Sequence, residues 1–112
     1  MARRFPRKSK KLLKALKNLG YSFQPGHGDH TNVIFIAQCT DGSDFKFAFP
    51  VDRGEIPRGT FHAILDQTGG LSEEQLCQAL KGTFTEPDYR EWIFRKSRAE
   101  LLRITRGRHF GF

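Results

Sequence analysis

The sequence predicts an α+β domain, with a three-stranded antiparallel sheet packed on helices in the order α-β-β-β-α and a C-terminal helical extension. Three observations carry this prediction: leucines recur at helical spacing near the start, phenylalanines alternate in the middle, and turn and capping residues separate the segments. With 112 residues and 11 phenylalanines, the chain has enough apolar side chains for one core, and its length suits a single domain.

A first helix is predicted from Ser9, taken as its N-cap, to Gly20. Its leucines repeat at i, i+1, i+4 and i+7, a spacing that makes one apolar helix face, and lysines occupy the other faces; these leucines are Leu12, Leu13, Leu16 and Leu19. Gly20 suits the left-handed conformation in which helices commonly end.

Three strands are predicted next. The first covers Tyr21 to Gln24, and the second runs through residues 33–36, which are β-branched or aromatic. The dipeptide Asp41-Gly42 is a strong hairpin signal. After it, Phe45, Phe47 and Phe49 alternate along the chain, so one face of the third strand is expected to be buried.

Two further helices are predicted after a loop at residues 50–57. Thr60 is taken as the cap of the first, which Gly69-Gly70 closes. Ser72 and Gln75 form a capping box that starts the second, with Leu71 and Leu76 as the hydrophobic staple around it. This helix is expected to end near Lys81.

The chain is divided into a domain at residues 1–82, with a basic arm at 1–8, and a basic helical extension at 83–112. Thr85 and Asp88 are expected to start one last helix in the extension. Four roles stay open for it: an RNA-gripping helix, a dimer contact, a built-in shield, or an amphipathic helix docked on the domain. Its arginines, interleaved with Tyr89, Trp92 and Phe94, would suit stacking on bases.

The net charge of +7 is concentrated at the two ends of the chain. Residues 1–17 carry eight basic and no acidic side chains, and residues 90–112 carry seven basic against two acidic ones. Between them, ten acidic side chains outnumber four basic ones. Basic ends attract polyanions, and nucleic acid is the commonest of these. The alternative is that the charge serves solubility alone.

The cysteine pattern and the hydropathy favour a protein of the cytoplasm. Cys39 and Cys77 match neither a disulfide framework nor a zinc spacing, so both are expected to be small buried groups in a reducing setting. No apolar run approaches the roughly 20 residues that span a bilayer, and no signal peptide is expected at the basic N-terminus.

His30 is the candidate catalytic residue, at the point where a glycine-bearing turn enters the second strand. Gly26 and Gly28 would let the backbone approach a ligand closely. An imidazole exchanges protons near neutral pH, and RNA cleavage needs a base for the 2′-hydroxyl and an acid for the leaving 5′ oxygen. The alternative is that His30 packs at the strand start and bonds a loop carbonyl.

No metal or other cofactor is expected. His27, Asp29 and His30 lie close in sequence, but a zinc site normally draws on three or four protein ligands. Lys46, Arg58 and the basic first helix, including Lys10 and Lys14, are expected to contact phosphates, since cations neutralise backbone charge.

An ordered set of short motifs runs from Ser9 to Lys81. A Leu- and Lys-rich helix ends in Leu19-Gly20-Tyr21, and Gly26-His27-Gly28-Asp29-His30 precedes an apolar strand. The hairpin Asp41-Gly42 and the stretch 54–61, with Arg58-Gly59-Thr60, follow. In this order and spacing the chain resembles the HicA-type toxins of bacterial toxin-antitoxin pairs, also called YcfA-like proteins. The element order also resembles the double-stranded-RNA-binding domain, although fold alone assigns no function.

The HicA resemblance implies a metal-independent endoribonuclease that cleaves messenger RNA, and a HicB-type antitoxin that covers its active surface. The family's histidine carries over to His30 and its glycine to Gly28. Asp29 stands where the family usually has serine. A carboxylate that approached His30 would favour its protonated form and repel an incoming phosphate. The alternative functions are an RNA-binding module that does not cut, and a protein-interaction domain.

Overall fold

The computed structural model describes residues 4–107; residues 1–3 of the basic arm and 108–112 of the extension lie outside the described residues. Within the described part, five helices accompany three strands: α1 Ser9–Asn18, β1 Ser22–Pro25, β2 Thr31–Gln38, β3 Asp44–Val51, α2 Arg58–Gln67, α3 Glu73–Lys81, α4 Glu86–Phe94 and α5 Arg98–Ile104. The predicted α+β class and the order α-β-β-β-α are confirmed. The extension forms two helices, not the single helix expected.

The sheet is antiparallel with strand order β1-β2-β3. One face carries the core, since alternate residues of β2 and β3 are buried there: Val33, Phe35, Ala37, Phe45, Phe47, Phe49 and Val51. On the other face, Ile36 is 51% exposed and its cross-strand neighbour Lys46 is also exposed. The burial follows the two-residue period of a pleated strand, as the phenylalanine alternation predicted.

The hairpin between β2 and β3 forms at Asp41-Gly42, as predicted. The Gly42 N–H donates to the Cys39 carbonyl at 3.0 Å, and the Cys39 N–H donates to the Ser43 carbonyl at 2.7 Å. Gly42 has φ +84°, a left-handed value that glycine adopts without strain. The turn therefore reverses the chain so that Gln38 pairs with Asp44.

The first helix ends as predicted but starts differently. The Gly20 N–H donates to Lys17 O and the Tyr21 N–H to Leu16 O, each at 3.0 Å, with Gly20 at φ +100°. This is the paired Schellman bonding of a left-handed cap. The prediction that Ser9 caps the helix is wrong, because the N-cap is Lys8 and the Ser9 hydroxyl bonds to Gly54 instead.

Thr60 also fails as a predicted cap. Helix α2 begins at Arg58 after Pro57, whose carbonyl accepts the Phe61 N–H at 2.8 Å, so the cap lies three residues earlier than predicted. The capping box of α3 is confirmed: the Gln75 N–H donates to Ser72 Oγ, and the Ser72 N–H donates to Gln75 Oε1.

The extension contributes to the same core as the sheet. Its start is confirmed, since Thr85 and Asp88 form a capping box at α4. Tyr89, Ile93 and Leu101 are fully buried in the hydrophobic cluster that also holds Phe35 and Phe47. The division at residue 82 stays a prediction, but α4 and α5 bury apolar side chains together with the first segment.

A buried pair of tyrosines connects α4 to the rest of the core. Tyr89 Oη donates to the Thr68 carbonyl at 2.7 Å, so Tyr21 Oη, 2.9 Å away, is left as the donor to Tyr89. The Tyr89 ring also stacks on Phe35 at 4.9 Å between centroids. Both tyrosines are buried, and their polar ends are satisfied inside the core, as buried polar groups require.

The chain has two tyrosines, and we expect neither to ionise before the protein unfolds. Burial raises the pKa of Tyr21 and of Tyr89 above their ordinary value. Each tyrosine has a higher pKa in the folded protein than in the unfolded chain. The contribution of the two neutral hydroxyls to the free energy of unfolding is therefore complete below about pH 10 and falls as the pH rises further. An alkaline titration should show tyrosinate absorbance rising together with loss of the helical circular dichroism. Absorbance that rises while the circular dichroism stays native would contradict this.

Two arginines of the extension donate to strand carbonyls that no neighbouring strand pairs with. Beyond Ile34, β1 no longer pairs with β2, and there Arg90 Nη1 donates to the Ile36 carbonyl at 3.0 Å. At β3, Arg98 Nη1 donates to the Asp44 carbonyl at 2.8 Å. The two arginines also lie over core rings, Arg90 at 4.6 Å from the centroid of Phe35 and Arg98 at 5.5 Å from that of Phe45.

Candidate active site

His30 is held by a short turn ahead of β2. The Gly26 N–H donates to the His30 carbonyl at 3.0 Å, and the His30 N–H donates to the His27 carbonyl at 3.1 Å. Gly28 sits in this turn at φ +60°, and apart from its two chain neighbours no described residue comes within 4 Å of where its Cβ would be. The turn fixes the backbone of His30, while 44% of its side chain stays exposed to solvent.

Asp52 is the carboxylate that contacts His30. The sheet register pairs Thr31 with Val51, so the next residues outward, His30 and Asp52, face each other beyond the strand ends. There His30 Nδ1 contacts Asp52 Oδ1. A carboxylate at Nδ1 keeps a proton on that nitrogen and leaves Nε2 to act on a substrate.

The loop that carries Asp52 is fixed by the start of α1. The Ser9 N–H donates to the Gly54 carbonyl at 2.9 Å, and the Gly54 N–H donates back to Ser9 Oγ at 3.0 Å. One residue further on each side, Lys8 and Glu55 form an isolated antiparallel bridge. Ser9 therefore ties the first helix to the loop of Asp52, which explains why its hydroxyl does not cap the helix.

An open groove of about 980 Å³ runs past His30. Its lining comes from the start of α1, the turn before β2 and the loop after β3: Lys8, Ser9, Lys10, Lys11, Leu13, Pro25, Gly28, Asp29, His30, Thr31, Asp52, Arg53, Gly54 and Glu55. Among residues 4–107, Lys8, Lys10 and Lys11 form no ion pair. One wall of the groove therefore presents unpaired ammonium groups, which attract a polyanion.

Asp29 does not provide the contact to His30. Its Oδ1 lies 3.9 Å from Arg53 Nη1, and the two side chains are 76% and 80% exposed. An ion pair this exposed contributes little to stability. The sequence analysis considered an approach of the Asp29 carboxylate to the His30 imidazole. In the structure, Asp52 occupies that position instead.

The other predicted site residues divide into two groups. Gly28 and Lys10 line the groove together with His30. Lys14 is exposed on α1 outside that lining, and Lys46 lies on the open face of the sheet. Arg58 starts α2 and lines a separate pocket with Arg4 and Arg7. The groove therefore gathers only part of the predicted phosphate contacts around the histidine.

Asp52 is the site residue that the sequence interpretation missed. A local motif gives no sign of it, because it lies 22 positions from His30. Counting outward from the hairpin at Asp41-Gly42 would have found it, since the same register that pairs Gln38 with Asp44 brings residue 30 opposite residue 52.

Within residues 4–107, no group of three or more histidine, cysteine, aspartate or glutamate side chains is arranged to hold a metal ion. None of the described helices is both long and apolar enough to cross a membrane.

Comparisons with protein-family models, with curated proteins and with solved structures give no match. The HicA resemblance therefore stays a prediction from the sequence motifs.

Proposed function

We propose that the protein is a metal-independent endoribonuclease in which His30 is the general acid-base and messenger RNA is the substrate. The observation that carries the proposal is the contact between His30 Nδ1 and Asp52 Oδ1, beside a groove with unpaired lysines on one wall. An oriented imidazole can act as general acid-base, and nearby cations can stabilise the charge of the phosphate. Together they can cleave a phosphodiester beside a 2′-hydroxyl.

The reaction requires one proton to move from the 2′ oxygen to the 5′ oxygen. Nε2 of His30 takes the proton of the 2′-hydroxyl while the 2′ oxygen attacks the adjacent phosphorus. The bond from phosphorus to the 5′ oxygen then breaks, and the imidazolium returns the proton to that oxygen, directly or through a water in the open groove. The products are a 2′,3′-cyclic phosphate and a 5′-hydroxyl.

Each part of the groove has a role in this step. Asp52 orients the imidazole and stabilises the imidazolium, as the third member of a catalytic triad does. Lys10 and the neighbouring lysines at the start of α1 neutralise the phosphate. Gly28 has no side chain, so the RNA strand can pass close to the protein backbone there. These groups supply base, acid and charge neutralisation, so the reaction does not depend on a metal.

The fold and the biological setting are part of the same proposal. We assign the α-β-β-β-α unit to the double-stranded-RNA-binding-domain architecture and the chain to the HicA-type toxins, acting in the cytoplasm. The partner would be a HicB-like antitoxin that covers the groove. Support for these assignments comes from the element order and from the motifs between Ser9 and Lys81.

The test is the chemistry of the products formed from a long single-stranded RNA in the presence of a chelator. We expect fragments that end in a 2′,3′-cyclic phosphate, and no cutting of DNA of the same sequence, because DNA lacks the attacking 2′-hydroxyl. Fragments with 3′-hydroxyl ends, or activity that the chelator abolishes, would contradict the proposed chemistry.

A second candidate is an RNA-binding module that does not cut. The observation that favours it is the presence of three carboxylates in the groove, Asp29, Asp52 and Glu55, which would repel a phosphate in position for attack. Salt-dependent binding with the RNA left intact would select this function. Undetectable affinity for RNA at low salt would select a protein-interaction domain instead.

A further inference from the structure

Residues 4–8, the described part of the basic arm, are docked on the domain. Phe5 is 3% exposed and stacks on Phe61 of α2, with 6.1 Å between ring centroids and 7° between the ring planes. The Phe5 N–H donates to Glu73 Oε1 at 3.0 Å, and the Arg7 carbonyl accepts the Ile56 N–H at 2.8 Å. The arginines that flank Phe5 are therefore held at defined places.

Three arginines of the arm and of α2 converge on one pocket. Arg4, Arg7 and Arg58 line it, together with His62 and Glu73. Its volume is about 160 Å³, below the range of about 300–1,000 Å³ typical of small-molecule sites. A pocket of this size suits one charged group better than a whole metabolite.

The charges around this pocket are unbalanced. Within residues 4–107, none of the three arginines forms an ion pair, and Glu73 is the one carboxylate in the lining. Three cations against one carboxylate leave the pocket with a positive charge that attracts an anion. Guanidinium groups bind phosphate through two parallel hydrogen bonds, and arginine is the usual residue for that role.

The pocket is connected to the groove of His30 by the arm itself. Arg4 and Arg7 line the pocket, and the next residue, Lys8, lines the groove, where it forms the bridge with Glu55. Residues 4 and 8 are separated by at most about 14 Å of extended backbone, a length that a short stretch of one RNA strand can span.

We infer that Arg4, Arg7 and Arg58 form a second phosphate subsite, which holds the RNA strand a few nucleotides away from the bond that His30 cleaves. The inference rests on the proposed function in taking RNA as the polyanion. A second subsite explains why Arg58, a predicted phosphate contact, lies outside the groove. Arg58 binds a different phosphate of the same RNA strand.

The test measures binding of 2′-O-methyl RNA, which lacks the attacking hydroxyl and so cannot be cut by this chemistry. We expect Arg4→Ala/Arg58→Ala to bind a 12-nucleotide strand about 10- to 100-fold more weakly at low salt. The slope of log affinity against log salt should fall by about 0.7 for each phosphate that the variant no longer neutralises. A three-nucleotide strand, too short to use both sites at once, should lose less affinity than the 12-nucleotide strand.

Two further variants separate the subsite from a general effect of charge or folding. Lys81→Ala/Arg103→Ala removes the same charge from exposed positions on α3 and α5, and we expect it to keep the wild-type salt slope. Glu73→Gln keeps an acceptor for the Phe5 N–H but removes the negative charge from the pocket. We expect it to tighten binding of the 12-nucleotide strand, a gain that a folding defect cannot produce.

The outcomes distinguish this inference from the nuclease proposal. Equal salt slopes for Arg4→Ala/Arg58→Ala and the wild type would overturn the subsite, whether or not the protein cleaves RNA. A reduced slope for that variant supports the subsite even if cleavable RNA stays intact, a result that would reject only the nuclease. Poly-glutamate serves as a second probe. If Arg4→Ala/Arg58→Ala binds poly-glutamate more weakly than the wild type but binds RNA equally well, the pocket belongs to an acidic protein segment and the inference is overturned.

Discussion

Replacing His30 with alanine is expected to lower the rate of RNA cleavage by about 10²- to 10⁴-fold, the usual contribution of a positioned general acid-base. The substitution removes the imidazole and leaves Asp52 without its partner. It should cost little stability, since the side chain is 44% exposed and the hydrogen bonds of the turn come from the backbone. The measurement is the rate of cleavage of a long RNA in chelator, with thermal unfolding recorded for each protein.

Two variants serve as controls for this result. His27→Ala removes an imidazole from the same turn while its backbone carbonyl still accepts the His30 N–H, so cleavage should continue at the wild-type rate. Asp52→Asn should give an intermediate loss, because the imidazole remains but its orienting charge is gone. Equal cleavage by the wild type and His30→Ala, or a loss as large in His27→Ala, would reject the assignment of His30.

Tyr89→Ala is expected to destabilise the whole protein by about 3–5 kcal/mol or more. The ring is fully buried and stacks on Phe35, so its removal opens a cavity in the core. The Thr68 carbonyl also loses its donor and the Tyr21 hydroxyl its acceptor, which adds about 1–3 kcal/mol for each buried group that stays unsatisfied. A domain of this size has about 5–15 kcal/mol in total, so the midpoint of thermal unfolding should fall by more than about 10 °C.

Two further substitutions on the same helix provide the matched comparison. Tyr89→Phe keeps the ring and loses only the hydroxyl, so its effect should be smaller than that of Tyr89→Ala. Phe94→Ala removes a ring that is 47% exposed and should change the midpoint little. If Tyr89→Ala and Phe94→Ala unfold at the same temperature, α4 does not contribute to the core in the way described.

Short-range patterns in the sequence were sufficient to predict most elements of the fold. The alternation of Phe45, Phe47 and Phe49 and the turn at Asp41-Gly42 predicted β3 and its hairpin, because both act within a few residues. The capping box of Ser72 and Gln75 is equally local. The start of α1 was missed because the Ser9 hydroxyl bonds to Gly54, which lies 45 positions away and leaves no mark on the sequence around Ser9.

The same distinction applies to the candidate site. His30 could be identified from its glycine-bearing turn, but its partner Asp52 comes from strand pairing and not from a motif. Arg58 was singled out as a phosphate contact, but its neighbours Arg4 and Arg7 depend on the docking of Phe5 on Phe61. Phe5 and Phe61 are far apart in the sequence, so composition and periodicity cannot predict a tertiary contact of this kind.

The two arginines that donate to strand carbonyls, Arg90 and Arg98, also bear on self-association. Exposed strand edges offer unpaired carbonyls to which a second molecule can add a strand, which is a common route to aggregates. Here the guanidinium groups of Arg90 and Arg98 already occupy the Ile36 and Asp44 carbonyls. A strand that added at either position would have to displace the guanidinium group there and the helical segment that carries it. The extension therefore opposes strand addition at these two positions of the sheet.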